Sequence, residues 1–386
     1  MRVVERRSRG GGRAQDVHRR AHGTVNARAS EHIAPRLDRV EPASRPANSA
    51  DARVNYVDIV RGLFILLMAS SHAAGLSALA ESSVFRSRWW LPQGWASEGF
   101  IMLSGFTIAL LFEPGPATTG RLLRRARQLL VVMFVSNVVM MSLKSLVTGQ
   151  WSALATPGWW IGLFTLHTPY SISIVLLPIA AFLAVAPALF LLTARCGAAV
   201  VVVAAVGGGI VIGALASSPL LPHESHVIDV LFRYPPLLPL VSLGAIGFGM
   251  GTMWRHLRYR RGELVAAVAL WSIACVSLAP AGVPGVHALT ASVPRFGIVL
   301  MIGIAIDSWA RARQALWVTA LLGSYGLFAF IAHRVAIQAL VRLFAFTSPE
   351  LRYVLSFGVG ITIVAALCVC RRRVPAWDAV LRRVWL

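Results

Sequence analysis

Charge is what this 386-residue chain has least of: 14% of its residues are Asp, Glu, Lys or Arg, while 56% are hydrophobic. A soluble domain runs at about 25% charged, so a water-soluble enzyme of this length is excluded. Cysteine is scarce too; four residues do not make a disulfide scaffold, and the 32 glycines follow no collagen pattern. Metal-ligand clusters are missing. Cys368-x-Cys370 and His223 with His226 are bare pairs, and without further ligands no metal is expected. The chain also lacks a nucleophile elbow, a phosphate loop and the internal repeat that many transporters carry.

Long apolar runs are what it has in quantity. Ten stretches reach or approach the ~20 residues that cross a bilayer: 57–76, 96–113, 128–148, 172–193, 197–216, 236–254, 263–279, 295–310, 315–333 and 351–370. The segment 334–350 reads as an interfacial helix. The expected fold is therefore all-α, a polytopic helix bundle of about ten spans, with the lipid bilayer as its partner.

Acid is scarcer still than base, and the net charge is +21. In a soluble protein that excess would point to nucleic acid; here short Arg-rich loops account for it, and no nucleic-acid partner is expected. With the N-terminus inside, the inner loops 114–127, 194–196, 255–262, 310–314 and 371–386 hold sixteen Arg, and the outer segments hold eight Lys or Arg. Both termini are thus expected in the cytoplasm. Residues 1–54, with twelve Arg and six acids, read as a disordered basic tail, residues 55–373 as the membrane domain and 374–386 as a short cytoplasmic tail.

Ionisable residues inside spans are functional candidates. Arg61 and His72 stand eleven residues apart in the first span, which puts them on one helix face and ~16 Å apart along the axis. Asp58 precedes Arg61 by one turn and is placed to pair with it. Glu98 opens the second span and is expected at the depth of His72, where a carboxylate would orient the imidazole. His333 is expected near an outer helix end. This set fits a catalytic histidine, and it fits the polar cavity of a transporter or flippase for a glycan or lipid-linked substrate equally well.

The wider pattern separates the two. The run Tyr56 to His72 carries Arg-x10-His in a first span, Ala96 to Phe106 ends in Ser-Gly-Phe after an acidic residue, an Arg-rich loop follows from Arg121 to Arg127, and Gly323 to His333 reads Gly-Ser-Tyr-Gly-Leu-Phe-Ala-Phe-Ile-Ala-His. Together these resemble the transmembrane acyltransferase type 3 superfamily. Leu166-His-Thr-Pro169 with Leu177-Pro178 and Pro187 is similar to its OpgC type, which succinylates periplasmic glucans. Tyr234-Pro-Pro-Leu-Leu-Pro239 with Gly244 to Gly251 is similar to the glucosaminide acetyltransferases.

The resemblance implies a bacterial inner-membrane enzyme that moves an acetyl or succinyl group from cytoplasmic acyl-CoA to a hydroxyl of an outer-face glycan or polysaccharide. On that reading His72 and Glu98 are catalytic. Arg61, Arg121, Arg124 and Arg125 meet the CoA phosphates, although Arg at an inner loop also serves topology alone. His333, Ser104 and Trp95 are candidates for the acceptor side. Tryptophans clustered outside, Trp95 among them, also serve as interfacial anchors.

Overall fold

The computed structural model describes residues 55–79, 95–149, 156–166, 171–216, 225–233, 236–257 and 286–374, with a few single positions besides. These belong to the unit Arg53–Leu386. The tail 1–54, the expected span 263–279 and the outer residues Trp89, Trp90, Trp151 and His223 lie outside the described residues.

The helices are α1 (Asn55–Leu76), α2 (Trp95–Leu111), α3 (Pro116–Thr148), α4 (Pro157–Phe164), α5 (Ser171–Cys196), α6 (Ala198–Ala216), α7 (Leu237–Leu257), α8 (Val286–Ser308), α9 (Ala310–Ala315), α10 (Trp317–Ser324), α11 (Gly326–Leu343) and α12 (Pro349–Arg373). No strand occurs among the described residues. Seven helices among the described residues are long and apolar enough to cross a bilayer: α1, α3, α5, α6, α7, α11 and α12; α2 is apolar but shorter. Side chains such as Val203, Val211 and Val354 are more than half exposed on the outer faces of α6 and α12. Apolar surface of that extent matches hydrocarbon, not water.

Two expectations need correction. The Arg-rich segment 121–127 is not a loop, because α3 starts at Pro116 and runs unbroken to Thr148. Proline at the first helical position has no N–H to waste, arginine is a good helix former, and the helix stops only where Gly149 adopts a left-handed φ of 70°. The apolar stretch 315–333 is not one span either. It breaks at Tyr325, and α11 continues through the segment expected at the interface as far as Leu343. His333, Ile337, Leu340 and Val341 form the buried face that carries it there.

Aromatic contacts fix the helix directions. Tyr56 meets Trp254, which meets Phe106; Phe64 meets Phe100 and Phe296. Hence α2 runs antiparallel to α1, and so does α8, whose Gly303 packs against Val60 and the Tyr56 carbonyl, a turn before Phe64. Close approach depends on glycine. On α7, Gly247 and Gly251 are four residues apart, and a Cβ on either would strike the α2 backbone at Met102 or Phe106. A Cβ on Gly323 would collide with the Asp58 carbonyl of α1. Gly323→Ala is therefore expected to lower stability by about 1–3 kcal/mol, the usual cost of overpacking, as a drop in unfolding temperature of the detergent-solubilised protein.

Candidate functional site

Helices α1, α2, α3, α5, α11 and α12 enclose a cavity of about 630 Å³ at the end of the bundle where α1 begins. That volume lies in the range of ligand and cofactor pockets. Leu129, Leu176, Ile179 and Leu183 give it an apolar wall, and Arg61, Arg121, Arg125 and Arg371 all line it.

Each arginine is held differently. Arg61 Nη1 donates to Asp58 Oδ1 at 3.0 Å and to the Gly323 carbonyl at 3.1 Å. Gly326 lets its stem pass, since a Cβ there would strike Arg61 Cδ. Arg121 Nη2 donates to Thr118 Oγ1 at 3.2 Å, and its guanidinium lies 5.2 Å from the centre of the Phe112 ring. Arg125 is the exception: its Nη1 is buried and has no hydrogen-bond partner among the described residues. A buried guanidinium donor left unpaired is costly, and an anion in the cavity would satisfy it. Arg124 is exposed and does not line the cavity.

Ser104 lines the cavity as well, but its hydroxyl donates back to the Phe100 carbonyl at 2.8 Å. Phe100 and Phe330 form the inner limit of the cavity, packed edge-to-face with ring centres 5.9 Å apart. Behind them lies a histidine pair. His333 packs edge-on against Phe330 at 5.8 Å, and His72 stacks on His333 at 5.6 Å with the ring planes 16° apart. The spacing Arg61-x10-His72 thus spans from the arginine cavity to the far side of an aromatic partition.

His333 is completely buried. Its Nδ1–H donates to the Ala329 carbonyl at 3.1 Å, and its Nε2 has no partner among the described residues. In the neutral ring that bond fixes the tautomer and leaves the Nε2 lone pair available to accept a proton or a hydroxyl hydrogen bond.

Glu98 lies elsewhere than expected. Gly99 packs against the Phe64 ring, eight residues before His72, so Glu98 sits ~10 Å from the depth of that histidine. Its Oε2 accepts from Ser292 Oγ at 2.5 Å, tying α2 to α8, and no hydrogen bond joins it to His72. The antiparallel register, set by Phe64, Phe100 and Phe296, decides this. Glu98→Gln is expected to weaken the α2–α8 tie by about 1 kcal/mol while the pH dependence of turnover stays in place. Thermal unfolding and a pH–rate profile of the one variant check both parts. Trp95 is the first residue of α2, and its side chain lies outside the described residues.

Arg371 was not legible as a site residue, because the run Arg371-Arg372-Arg373 reads as a topology signal. Among the described residues no group of three or more His, Cys, Asp or Glu could hold a metal. The described cysteines 196, 368 and 370 are free.

A family model described as an acyltransferase domain matches residues 54–370 of the chain. Neither the curated proteins nor the solved structures give a match.

Proposed function

The chain belongs to the acyltransferase family whose domain spans residues 54–370, and from that premise we propose that it carries an acyl group across the membrane, from acyl-CoA inside to a glycan hydroxyl outside. Apolar spans make it a membrane acyltransferase. The excess of arginine at the cavity end supports placing that end, and both termini, in the cytoplasm of a bacterial inner membrane.

The observation that carries the donor reading is the unpartnered Arg125 Nη1 in a cavity also lined by Arg61 and Arg121. Guanidinium forks suit phosphate, and CoA brings phosphates together with a pantetheine arm long enough for the ~16 Å between Arg61 and His72. The donor supplies a thioester carbonyl. Beyond the partition, His72 takes the proton of the acceptor hydroxyl as its oxygen attacks that carbonyl, and returns the proton to the departing thiolate as the C–S bond breaks. His333, with its free Nε2, accepts a hydrogen bond from the acceptor and keeps the imidazole pair in place. Ser104 lines the donor's path, and Glu98 holds α2 to α8 below the pair. Acetyl and succinyl groups are both within this chemistry, and the resemblance to the OpgC type favours succinyl transfer to a glucan.

The experiment is transfer in sealed proteoliposomes. Labelled acetyl-CoA or succinyl-CoA is supplied on one side, a glucan on the other, and the product is identified by mass spectrometry. Ester-linked label on the glucan, formed only with donor and acceptor on opposite sides, is the expected result. Absence of label with every donor and arrangement overturns the reading.

A further inference from the structure

The last helix brings a cation to the donor cavity from more than 300 residues beyond Arg61. We propose that Arg371 is a fourth donor-binding arginine and that Asp378 positions it; this rests on the phosphorylated-donor reading above. Of three consecutive arginines, Arg372 and Arg373 are exposed and Arg371 alone is turned inward, at 8% exposure. An arginine that only marked topology would sit outside like its neighbours.

Its setting is that of a pre-aimed binding group. The guanidinium lies over two rings, 5.1 Å from the centre of Tyr325 and 5.5 Å from that of Phe328, and all three residues line the cavity. Nε donates to Asp378 Oδ1 at 2.7 Å. Val374 leaves helical geometry with an extended backbone, and beyond it the Asp378 N–H donates to the Val374 carbonyl, so the chain after α12 brings this carboxylate back to Arg371. A guanidinium has five N–H donors. The carboxylate engages Nε, and the two Nη groups make no hydrogen bond among the described residues.

Charge leads to the same assignment. Arg61, Arg121, Arg125 and Arg371 line the cavity, and among the described residues they form ion pairs with two carboxylates, Asp58 and Asp378. Among the described residues four positive charges thus stand against two in a largely apolar pocket, and bringing a further arginine there is costly unless a multiply charged anion joins it. A ligand with several phosphate charges meets that requirement.

The test is calorimetric titration of the full-length detergent-solubilised protein with coenzyme A, at several salt concentrations. Arg371→Gln is expected to raise Kd about ten- to hundredfold and to flatten its salt dependence, because one screened charge contact is gone. Arg371→Lys keeps the charge and the pair with Asp378 but loses the planar fork, and a rise of tenfold or more is expected there too. A merely structural pair would leave the Lys variant and the salt dependence unmoved, and that result overturns the proposal. If the Arg371 variants do not fold, Asp378→Asn decides: a several-fold rise in Kd supports the positioning role, and an unchanged Kd overturns it. Coenzyme A that binds wild type and is lost in Arg125→Gln, but is unaffected by Arg371 substitution, overturns this inference alone. A wild-type protein that does not bind coenzyme A overturns the donor reading together with it.

Discussion

His72→Ala is expected to lower transfer by about two to four orders of magnitude, the usual worth of a positioned general acid–base group, while the protein still inserts and folds. The imidazole is half-buried and stacks on His333. Removing it takes away no hydrogen bond within the described residues, so the structural cost is small. Turnover with labelled acyl-CoA and thermal unfolding, measured on the same preparation, separate the two effects. Normal turnover in a folded variant would remove His72 from the mechanism. His333→Ala differs in kind, because that ring is completely buried and bonded to Ala329; loss of stability accompanies loss of rate.

The arginines divide along the same line. Arg125→Gln is expected to weaken coenzyme A binding ten- to hundredfold, since a hydrogen bond to a charged group is worth about 1.5–3 kcal/mol. Its thermal stability should hold or improve, because the variant loses a buried donor that nothing in the protein satisfies. Arg61→Ala is expected to weaken binding and to destabilise the protein as well. Its guanidinium holds Asp58, which is 8% exposed, and caps the Gly323 carbonyl. Breaking a fully buried pair costs 3–5 kcal/mol; with a quarter of the Arg61 side chain exposed, about 2–3 kcal/mol is expected here. Titration calorimetry and unfolding curves on both variants check the contrast. Equal loss of stability in the two would mean that Arg125, like Arg61, is a structural residue.

The parts of the fold legible in sequence are those that hydrophobic length controls. The first two spans, the spans near 172–193, 197–216 and 236–254 and the last one are found within a few residues of α1, α2, α5, α6, α7 and α12. Charge hides the first turns of α3, because arginine extends a helix as readily as it marks a membrane face. The arginine cavity was legible through Arg61, Arg121 and Arg125, and the pairing of Asp58 with Arg61 followed from one helical turn. Glu98 does not reach the depth of His72, because packing of Phe64 on Gly99, rather than a place in the first turn of α2, sets the register. Arg371 did leave a signal. Ser356, Gly360, Val364, Cys368 and Arg371 form one buried stripe at spacings of four and three, so the arginine continues the inward face of α12.

A membrane that stores an ion gradient sets a demand on any protein that hands material through it. A water-filled passage joining the arginine cavity to the histidines would conduct protons, and a pair of imidazoles is well suited to relay them. Phe100 and Phe330 stand in that path, ring against ring, with His333 packed directly behind. A chain of water cannot be hydrogen-bonded through such a plug. The thin, flexible thioester arm of the proposed donor would have to displace the two aromatic side chains and fill the gap it makes. On the proposed transfer, the two rings at rest would keep that path closed to protons, and acyl groups would cross one at a time without draining the gradient.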